Sequence, residues 1–399
     1  MKVLQLAKKI PWPAKDGESL AIINLTKAFI QQNCQVTFLA LSTQKHPGDL
    51  NNLPEAIKSH ISFGQCYINT NFNITQYFKA AFKNVSYPLF RFYSKEFEAL
   101  IIKTLQKNRF DIIHLEGLYM LNYIKTIRKY SKAKVVLRAH NVENQVWDKM
   151  AINEVYLPKK VVYKLVSRSL KSVEKNLNNL VDAIVTISNE DEDLLKVYGF
   201  KKPTVNIPFG INLKEYDCHQ FDEKETSIGF IGALDWPPNI EGLQWFIDQV
   251  FPSIQTRYPN VKFHVAGRNM PIKYKRLRMT NVIMEGEVED AKKFIASHPI
   301  FIVPLLSGSG MRIKLIEAMA LGSTVVSTTI GATGVQVVDN ENSMIADADK
   351  AFIDKIGFLI EDIELRNKLK QKARTLVNEQ YDNEKIGRNM INFYKNLAH

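Results

Sequence analysis

The sequence predicts an α/β protein built from two doubly wound parallel-sheet domains. Short β-branched segments alternate with longer amphipathic segments along most of the 399 residues, which is the pattern of repeated strand–helix units. The strand segments are apolar throughout, as expected for parallel strands that are covered by helices on both faces. A break rich in proline and glycine separates two sets of strands, and each set is large enough to form its own sheet.

The segments follow one another in the order that this fold class requires. The predicted strands of the first half are "KVLQL", "QVTFLA", "DIIHL", "KVVLRA" and "AIVTIS", and those of the second half are "SIGFIG", "VKFHVAG", "NVIMEG", "IFIVPL" and "STVVST". The break falls in "KKPTVNIPFGINLKEYD", so we predict domains at residues 1–205 and 206–380. Ligands of doubly wound sheets bind at the carboxyl ends of the strands, and we therefore expect the two domains to face each other across a cleft.

The net charge of +12 is concentrated in two segments, from Lys79 to Arg109 and from Lys159 to Lys175. Such segments bind an anionic membrane surface, phosphorylated substrates or nucleic acid. The same pattern is also typical of an ordinary solvated helix face. The sequence leaves these readings open.

Cysteine usage and the absence of apolar spans indicate the compartment. Cys34, Cys66 and Cys218 are scattered and lack CxxC spacing, which argues against a disulfide framework and a zinc site. The opening "MKVLQLAKKIPWP" does not have the pattern of a signal peptide, and no uncharged stretch is long enough to span a bilayer. We predict a cytoplasmic protein, either free or attached peripherally to the inner face of a membrane.

The segment "IFIVPLLSGSGMRIKLIEAMALG" is predicted to be a strand, a glycine-containing loop and a helix. Gly310 allows a close approach of the backbone to an anion, and the helix N-terminus near Met311 offers N–H groups without helical partners. Arg312 and Lys314 oppose the helix dipole at this end, which suggests that an anion lies between them. The alternative is a simple ion pair between Lys314 and Glu317, three residues apart on one helix.

This segment resembles the retaining glycosyltransferases of family 4, which have the GT-B fold. In that family two glutamates stand eight positions apart here; Glu317 matches the second, which binds the ribose of the nucleotide sugar, whereas Ser309 takes the place of the first. Two positions that commonly carry an arginine and a lysine for the donor diphosphate are similar to Ala233 and Asn239. The resemblance therefore implies that Arg312 and Lys314 replace those cations.

Other segments resemble the family in the same order along the chain. They are "PWPAKDGESLAIINL", "GFIGALDWPPNIEG", "HVAGRNMP", "NVIMEGEVED" and "VVSTTIGATGV", and the last helix, at about 381–399, is similar to the one that returns to the first domain. The resemblance implies these donor-binding residues: Gly17, Gly232, Gly267, Arg268, Val288, Ser309, Gly310, Met311 and Glu317.

The segment "VVLRAHNVEN" resembles the family's strand end that carries a histidine near the donor sugar, which makes His140 a candidate. A histidine bonded to a neighbouring carbonyl is the plain alternative. Glu116 and Glu143 are expected either near His140 or simply solvated, and His114 is expected to have no role. The predicted catalytic residues are His140, Arg312 and Lys314.

The resemblance implies a retaining, hexosyltransferase-type enzyme that moves a sugar from a nucleotide-sugar donor to an acceptor hydroxyl, with no metal and no other cofactor. The expected acceptor is a saccharide or lipid-linked molecule in polysaccharide or glycolipid assembly. Two alternatives are an enzyme of the same fold with epimerase or phosphorylase activity, and a basic nucleic-acid-binding protein. No nucleic-acid-binding motif accompanies the basic segments, so nucleic acid is not an expected partner.

Overall fold

Two parallel sheets organise the chain in the computed structural model, which describes residues 1–13, 17–44, 47–71, 86–217, 226–308 and 310–398. The first unit comprises Met1–Gly210 and Asn383–His399, and the second unit comprises Ile211–Asp382. The chain therefore passes between the units twice, at residues 210–211 and 382–383. The sequence predicts these passages near residues 205 and 381.

The first unit contains a parallel sheet of seven described strands in the order β3-β2-β1-β4-β5-β6-β7. These strands are β1 (Lys2–Ala7), β2 (Gln35–Thr43), β3 (Ile61–Ile68), β4 (Ile112–Glu116), β5 (Lys134–Ala139), β6 (Ala183–Thr186) and β7 (Thr204–Asn206). The inner strands β1, β4, β5 and β6 are buried almost throughout, which explains their continuous apolar sequence.

Helices cover both faces of the first sheet. They are α1 (Gly17–Gln31), α2 (Glu55–Lys58), α3 (Tyr87–Phe90), α4 (Lys95–Lys107), α5 (Ile124–Tyr130), α6 (Glu143–Asn153), α7 (Leu157–Lys175), α8 (Leu177–Leu180) and α9 (Asn189–Val197). Side-chain oxygens of Ser94 and Ser188 cap α4 and α9 by accepting from backbone N–H groups in the first turn. The last helix of the chain, Asn383–Ala398, packs beside α1 and buries Met390 and Tyr394 against the sheet.

The second unit contains a parallel sheet of six described strands in the order β10-β9-β8-β11-β12-β13. The strands are β8 (Ser227–Ile231), β9 (Lys262–Ala266), β10 (Val282–Gly286), β11 (Ile300–Val303), β12 (Thr324–Ser327) and β13 (Met344–Ile345). The helices are α10 (Pro237–Trp245), α11 (Phe251–Arg257), α12 (Ile272–Lys275), α13 (Ala291–Ala296), α14 (Ile313–Leu321), α15 (Asp349–Glu361) and α16 (Ile363–Leu376), and we label the returning helix α17.

Both sheets have a point at which the strand order reverses direction. In the first unit the chain moves outward from β1 to β3 and then returns to β4 on the other side; in the second unit the same change lies between β8 and β11. Loops that follow these central strands diverge and leave room for a ligand. The structure thus confirms the predicted fold class of two doubly wound parallel sheets, and it identifies the loops after β1, β4, β8 and β11 as candidate ligand loops.

Candidate active site

Glu317 is a buried carboxylate in α14. Its neighbours along the helix are apolar and buried, and only 7% of Glu317 is exposed. Its Oε1 accepts a hydrogen bond from the Tyr216 hydroxyl at 2.8 Å, and its Oε2 lies 3.3 Å from Lys314 Nζ. Burial, followed by the charge of Glu317, raises the pKa of the Tyr216 hydroxyl, which therefore stays protonated as a donor. The carboxylate is held from two sides.

The structure contains the ion pair between Lys314 and Glu317 that the sequence suggested as an alternative to an anion-binding role of Lys314. The lysine side chain remains 42% exposed while it contacts the carboxylate. That Lys314 and Arg312 hold an anion between them stays a prediction. Lys314 is directed towards Glu317, whereas Arg312 is directed towards another loop.

Arg312 stands at the start of α14 with its guanidinium over the ring of Trp236, 5.4 Å from the ring centroid. Only 9% of the residue is exposed, and burial lowers its pKa to about 10. Gly308 has a φ of +112°, and a side chain there would place Cβ 2.9 Å from Arg312 Nη2. Glycine is therefore favoured at this position by its backbone conformation, and a larger residue would also displace the guanidinium.

Trp236 belongs to the loop between β8 and α10, which is the loop where the family resemblance implies missing cations. Asn239 Nδ2 donates to the carbonyl oxygen of Ala233 at 2.9 Å, so this asparagine fixes the loop backbone. Arg312, whose guanidinium lies against Trp236, supplies positive charge beside this loop. That Arg312 takes over the role of the missing cations stays a prediction.

The predicted donor residues Gly232 and Gly267 lie next to each other after β8 and β9. A side chain at Gly267 would collide with the carbonyl oxygen of Gly232, so the close approach of these two loops requires glycine. The carbonyl oxygen of Arg268 accepts from the N–H of Leu234 at 3.0 Å, and the Arg268 side chain is half-buried. The loops after the two strands are thus bonded to each other.

The remaining predicted donor residues of the second unit lie in two places. Gly310, with a φ of +85°, and Met311 precede α14, and the Met311 backbone packs against Gly334. Ser309 lies outside the described residues. Val288 follows β10 and lines a groove of about 1070 Å³ together with His264.

In the first unit, His140 follows β5 at the carboxyl edge of the sheet and is 7% exposed. Its Nε2 lies 2.9 Å from Glu116 Oε2, and its ring lies 5.5 Å from the ring of Phe209. The plain alternative, a bond to a neighbouring carbonyl, is not the contact found at Nε2. Glu116 itself is fully buried, so the expectation that it could be solvated is wrong.

Gly17 is the first residue of α1, and Glu18 follows in the position where the family usually has a second glycine. The Glu18 carboxylate lies 3.1 Å from Lys8 Nζ and 3.0 Å from Lys9 Nζ. Burial alone would raise the pKa of Glu18, but the charges of Lys8 and Lys9 and a hydrogen bond from Lys9 hold that pKa far below its usual value. This edge of the sheet therefore carries a negative charge paired with two positive ones.

The sequence did not indicate the contacts of Tyr216, Trp236 and His114. Tyr216 lies 101 positions from Glu317 in the sequence, and nothing local connects the two. Nothing in the sequence indicates a role for Trp236 except its position in a loop after a predicted strand. His114 had a signal: "HLE" places two titratable side chains on the same face of a strand predicted to be buried.

Comparison with known proteins identifies the class. The model of a family described as "Glycosyltransferase Family 4" matches residues 16–215, and the model described as "Glycosyl transferases group 1" matches residues 225–362. The uncharacterized 44.6 kDa protein in the cps region of Klebsiella pneumoniae is 27% identical over 287 residues, which are 70% of this chain and 72% of that protein. A phosphatidyl-myo-inositol mannosyltransferase of Mycolicibacterium smegmatis is 26% identical over 206 residues, which are 49% of this chain and 52% of that protein.

Solved structures agree on the fold. HepE of Anabaena, in complex with UDP, has a TM-score of 0.70 at 14% identity and covers 99% of this chain and 100% of its own. Sucrose-phosphate synthase of Thermosynechococcus elongatus has a TM-score of 0.71 at 16% identity and covers 100% of this chain and 99% of its own. The fold and the family matches together define a GT-B glycosyltransferase. The chain belongs to glycosyltransferase family 4, as its motifs predicted.

The contact between Tyr216 and Glu317 yields a first prediction. If Glu317 binds the ribose, Tyr216→Phe should weaken the binding of a nucleoside diphosphate by about threefold to tenfold, because the carboxylate loses one of its two holding contacts. Isothermal titration calorimetry measures this loss. Tyr274→Phe is the matched control, since its hydroxyl donates to Gln244 at 2.9 Å in the same unit. Unchanged affinity in a folded Tyr216→Phe protein would show that this contact does not support the ligand.

Proposed function

We propose that the enzyme transfers a hexosyl unit from a nucleotide-sugar donor to an acceptor hydroxyl with retention of anomeric configuration and without a metal. The observation that carries this proposal is the buried Glu317 carboxylate, which follows a glycine loop and an arginine at the start of α14. An apolar helix carries a buried carboxylate at a cost in free energy, and a ligand-binding role accounts for it.

The proposed contacts with the nucleotide sugar lie in two places, at Glu317 and at the start of α14. The Glu317 carboxylate is an acceptor for two ribose hydroxyls, and the N–H groups at the start of α14 are donors for phosphate oxygens. Arg312 presents a planar guanidinium with several N–H donors, which suits two oxygens of a diphosphate. Lys314 adds a point charge beside Glu317.

The proposed reaction needs no protein nucleophile. The bond between the anomeric carbon and the diphosphate oxygen breaks, the acceptor oxygen bonds to the same face of that carbon, and the acceptor proton passes to a phosphate oxygen. Negative charge grows on the leaving diphosphate during this step, and Arg312 and the N-terminus of α14 stabilise it. His140 contacts the sugar.

The relatives support a range of substrates. One acts, by its description, as a phosphatidyl-myo-inositol mannosyltransferase, and HepE was solved with UDP and with UDP-glucose. We therefore propose a nucleoside diphosphate hexose as the donor and a saccharide or lipid-linked molecule as the acceptor.

A ligand screen tests the donor assignment. We expect one of UDP, GDP, ADP, TDP or CMP, with its sugar, to raise the melting temperature, because a ligand that binds only the folded state stabilises it. Glu317→Ala should fold and lose most of this increase, and Glu317→Gln should lose less because its amide oxygen still accepts.

The products of the same incubation separate the related activities. Transfer gives a glycosylated acceptor and free nucleoside diphosphate, whereas an epimerised donor or a sugar phosphate would identify an epimerase or a phosphorylase. A full ligand-induced shift in folded Glu317→Ala would contradict the assignment of Glu317.

Arg312 should act mainly on turnover. Arg312→Ala is expected to lower kcat on the order of a hundredfold or more, and Arg312→Lys less, because lysine keeps the charge and loses the planar fork. Lys314→Ala is expected to lower turnover as well. Steady-state kinetics and melting temperatures are measured together, with Arg257→Ala, an exposed arginine paired with Glu361, as the control. Intact turnover in both Arg312→Ala and Lys314→Ala would refute the catalytic role of these cations.

We also propose that the protein attaches peripherally to the cytoplasmic face of an anionic membrane through the hairpin formed by α6 and α7. Large apolar side chains are exposed at its tip and along α7, among them Val155 at 91% and Leu157 at 72%. Lysines alternate with them along the same two helices: Lys149, Lys159, Lys160 and Lys164. Apolar side chains interleaved with lysines are the pattern of a helix that lies in a membrane interface. No described helix combines the length and apolar character needed to cross a bilayer.

The other basic segment differs from this one. Lys79 and Lys83 lie outside the described residues, and the lysines of α4 share their helix with Glu96 and Glu98. Exposed apolar side chains accompany the lysines of α7 and not those of α4 within the described residues. We therefore assign the membrane contact to the hairpin.

Co-sedimentation with vesicles tests the membrane contact. The protein should bind vesicles with anionic lipid more tightly than neutral ones, and replacing Lys159, Lys160 and Lys164 by Gln should weaken binding by about fivefold per lysine. Val155→Ser with Leu157→Ser should weaken binding to both kinds of vesicle. Replacing Lys103 and Lys107 of α4 by Gln is the matched control and should have little effect. Equal binding of the wild-type protein to neutral and anionic vesicles at low salt would rule out the electrostatic part.

A further inference from the structure

We propose that Tyr394, His114 and Glu116 are positioning residues that hold the imidazole of His140 in one tautomer, with the proton on Nε2, so that its Nδ1 accepts a hydrogen bond from a hydroxyl of the sugar substrate. This inference rests on the proposed function, because it assumes that His140 contacts the sugar. It adds a chain of side chains that begins in the last helix of the protein and ends at His140.

The strand register places the members of the chain on one face of the first sheet. His114 and Glu116 are two residues apart on β4, Gln5 pairs with His114 across β1, and Arg138 pairs with Glu116 across β5. Successive residues of a strand alternate between faces, so all four side chains point the same way, and His140 follows Arg138 by two positions. This is the face on which α1 and α17 pack.

The contacts run without a gap from α17 to His140. The Tyr394 hydroxyl bonds His114 Nδ1, and His114 Nε2 lies 3.0 Å from Glu116 Oε1. Gln5 Nε2 donates to the same oxygen at 2.7 Å, and Glu116 Oε2 lies 2.9 Å from His140 Nε2. His114, Glu116 and Tyr394 are wholly buried.

The charge of Glu116 and the burial of its neighbours determine which atoms of this network carry protons. Burial alone would raise the pKa of Glu116, but its interactions with the two histidines, including the hydrogen bonds that it accepts from them, hold that pKa well below its usual value, so Glu116 is a carboxylate that can only accept. Both histidines must therefore donate from Nε2. Burial lowers the pKa of His114, which is neutral and accepts at Nδ1 from Tyr394. Burial also raises the pKa of Tyr394, which keeps its proton.

His140 is then left with Nδ1 as the atom that faces a ligand. The residue is 7% exposed, and its Nδ1 has no hydrogen-bond partner among the described residues. A buried ring nitrogen without a partner costs free energy unless a ligand supplies one. The ring of Phe209 packs on the His140 ring. The guanidinium of Arg138 lies 5.3 Å from the centroid of the Phe209 ring, and its positive charge offsets that of Glu116.

The tautomer can be measured directly and without substrate. In the full chain labelled with ¹⁵N-histidine, two-bond correlation spectra should show His140 protonated on Nε2 and bare at Nδ1. In Glu116→Gln the side chain can no longer accept from both histidines, so His140 should become a mixture of tautomers. Turnover should fall about tenfold to hundredfold, as it does when partners behind a functional histidine are lost, while nucleoside diphosphate affinity is kept.

Tyr394→Phe is the milder variant and keeps the proposal testable if Glu116→Gln does not fold. It should lower kcat several-fold and change the spectrum of His114. Tyr123→Phe is the matched control, since its buried hydroxyl donates to the carbonyl oxygen of Phe92 at 2.7 Å; it should lower stability and leave kcat and both histidine spectra unchanged. A wild-type His140 protonated on Nδ1 would overturn the proposal, as would unchanged kcat in folded Glu116→Gln or, where that variant does not fold, in Tyr394→Phe. Neither result would affect transfer by the wild-type protein, which tests the proposed function separately.

Discussion

The burial of Glu116 in the first unit and of Glu317 in the second is the constraint on which the arrangement of the candidate functional residues depends. A carboxylate that leaves water costs several kcal/mol unless hydrogen-bond donors replace the water. Glu116 receives donors from Gln5, His114 and His140, and Glu317 receives them from Tyr216 and Lys314. These donors come from different strands, helices and loops, so satisfying each carboxylate also fixes the positions of the elements that supply them.

Much of this protein is readable from its sequence, because continuous apolar strands and repeated strand–helix order determine a doubly wound sheet. The glycine loop before α14 and the burial of Glu317 were also predictable, since glycines precede a short helical segment in which most neighbours of Glu317 are apolar. The contacts that hold the site were harder to predict. Tyr216 reaches Glu317 from the chain's passage between the units, and Tyr394 reaches His114 from 280 positions away. Local periodicity carries no information about such pairs.

Arg312 and Lys314 make contacts in the structure that the motif did not predict in full. Both cations were predicted to hold an anion between them, because both oppose the helix dipole at the start of α14. In the structure Lys314 offsets the charge of Glu317, and Arg312 packs on Trp236. Trp236 belongs to another loop and offers an apolar ring to the weakly hydrated guanidinium. A lysine ammonium would be more strongly hydrated and gains less from such a position.

The ring of Trp236 also connects the positions at which this sequence departs from the family pattern, Ala233 and Asn239. Asn239 stands where a cation is common, and its amide instead holds the carbonyl oxygen of Ala233, which stabilises the turn that carries Trp236. Trp236 in turn lies under Arg312, which brings a charge to that loop from the start of α14. Because the arginine is buried, its charge acts through a medium of lower dielectric than water and is felt more strongly by a neighbouring phosphate. A single buried guanidinium and the N-terminus of α14 thus supply positive potential at this loop, which is why we propose that they act on the donor diphosphate.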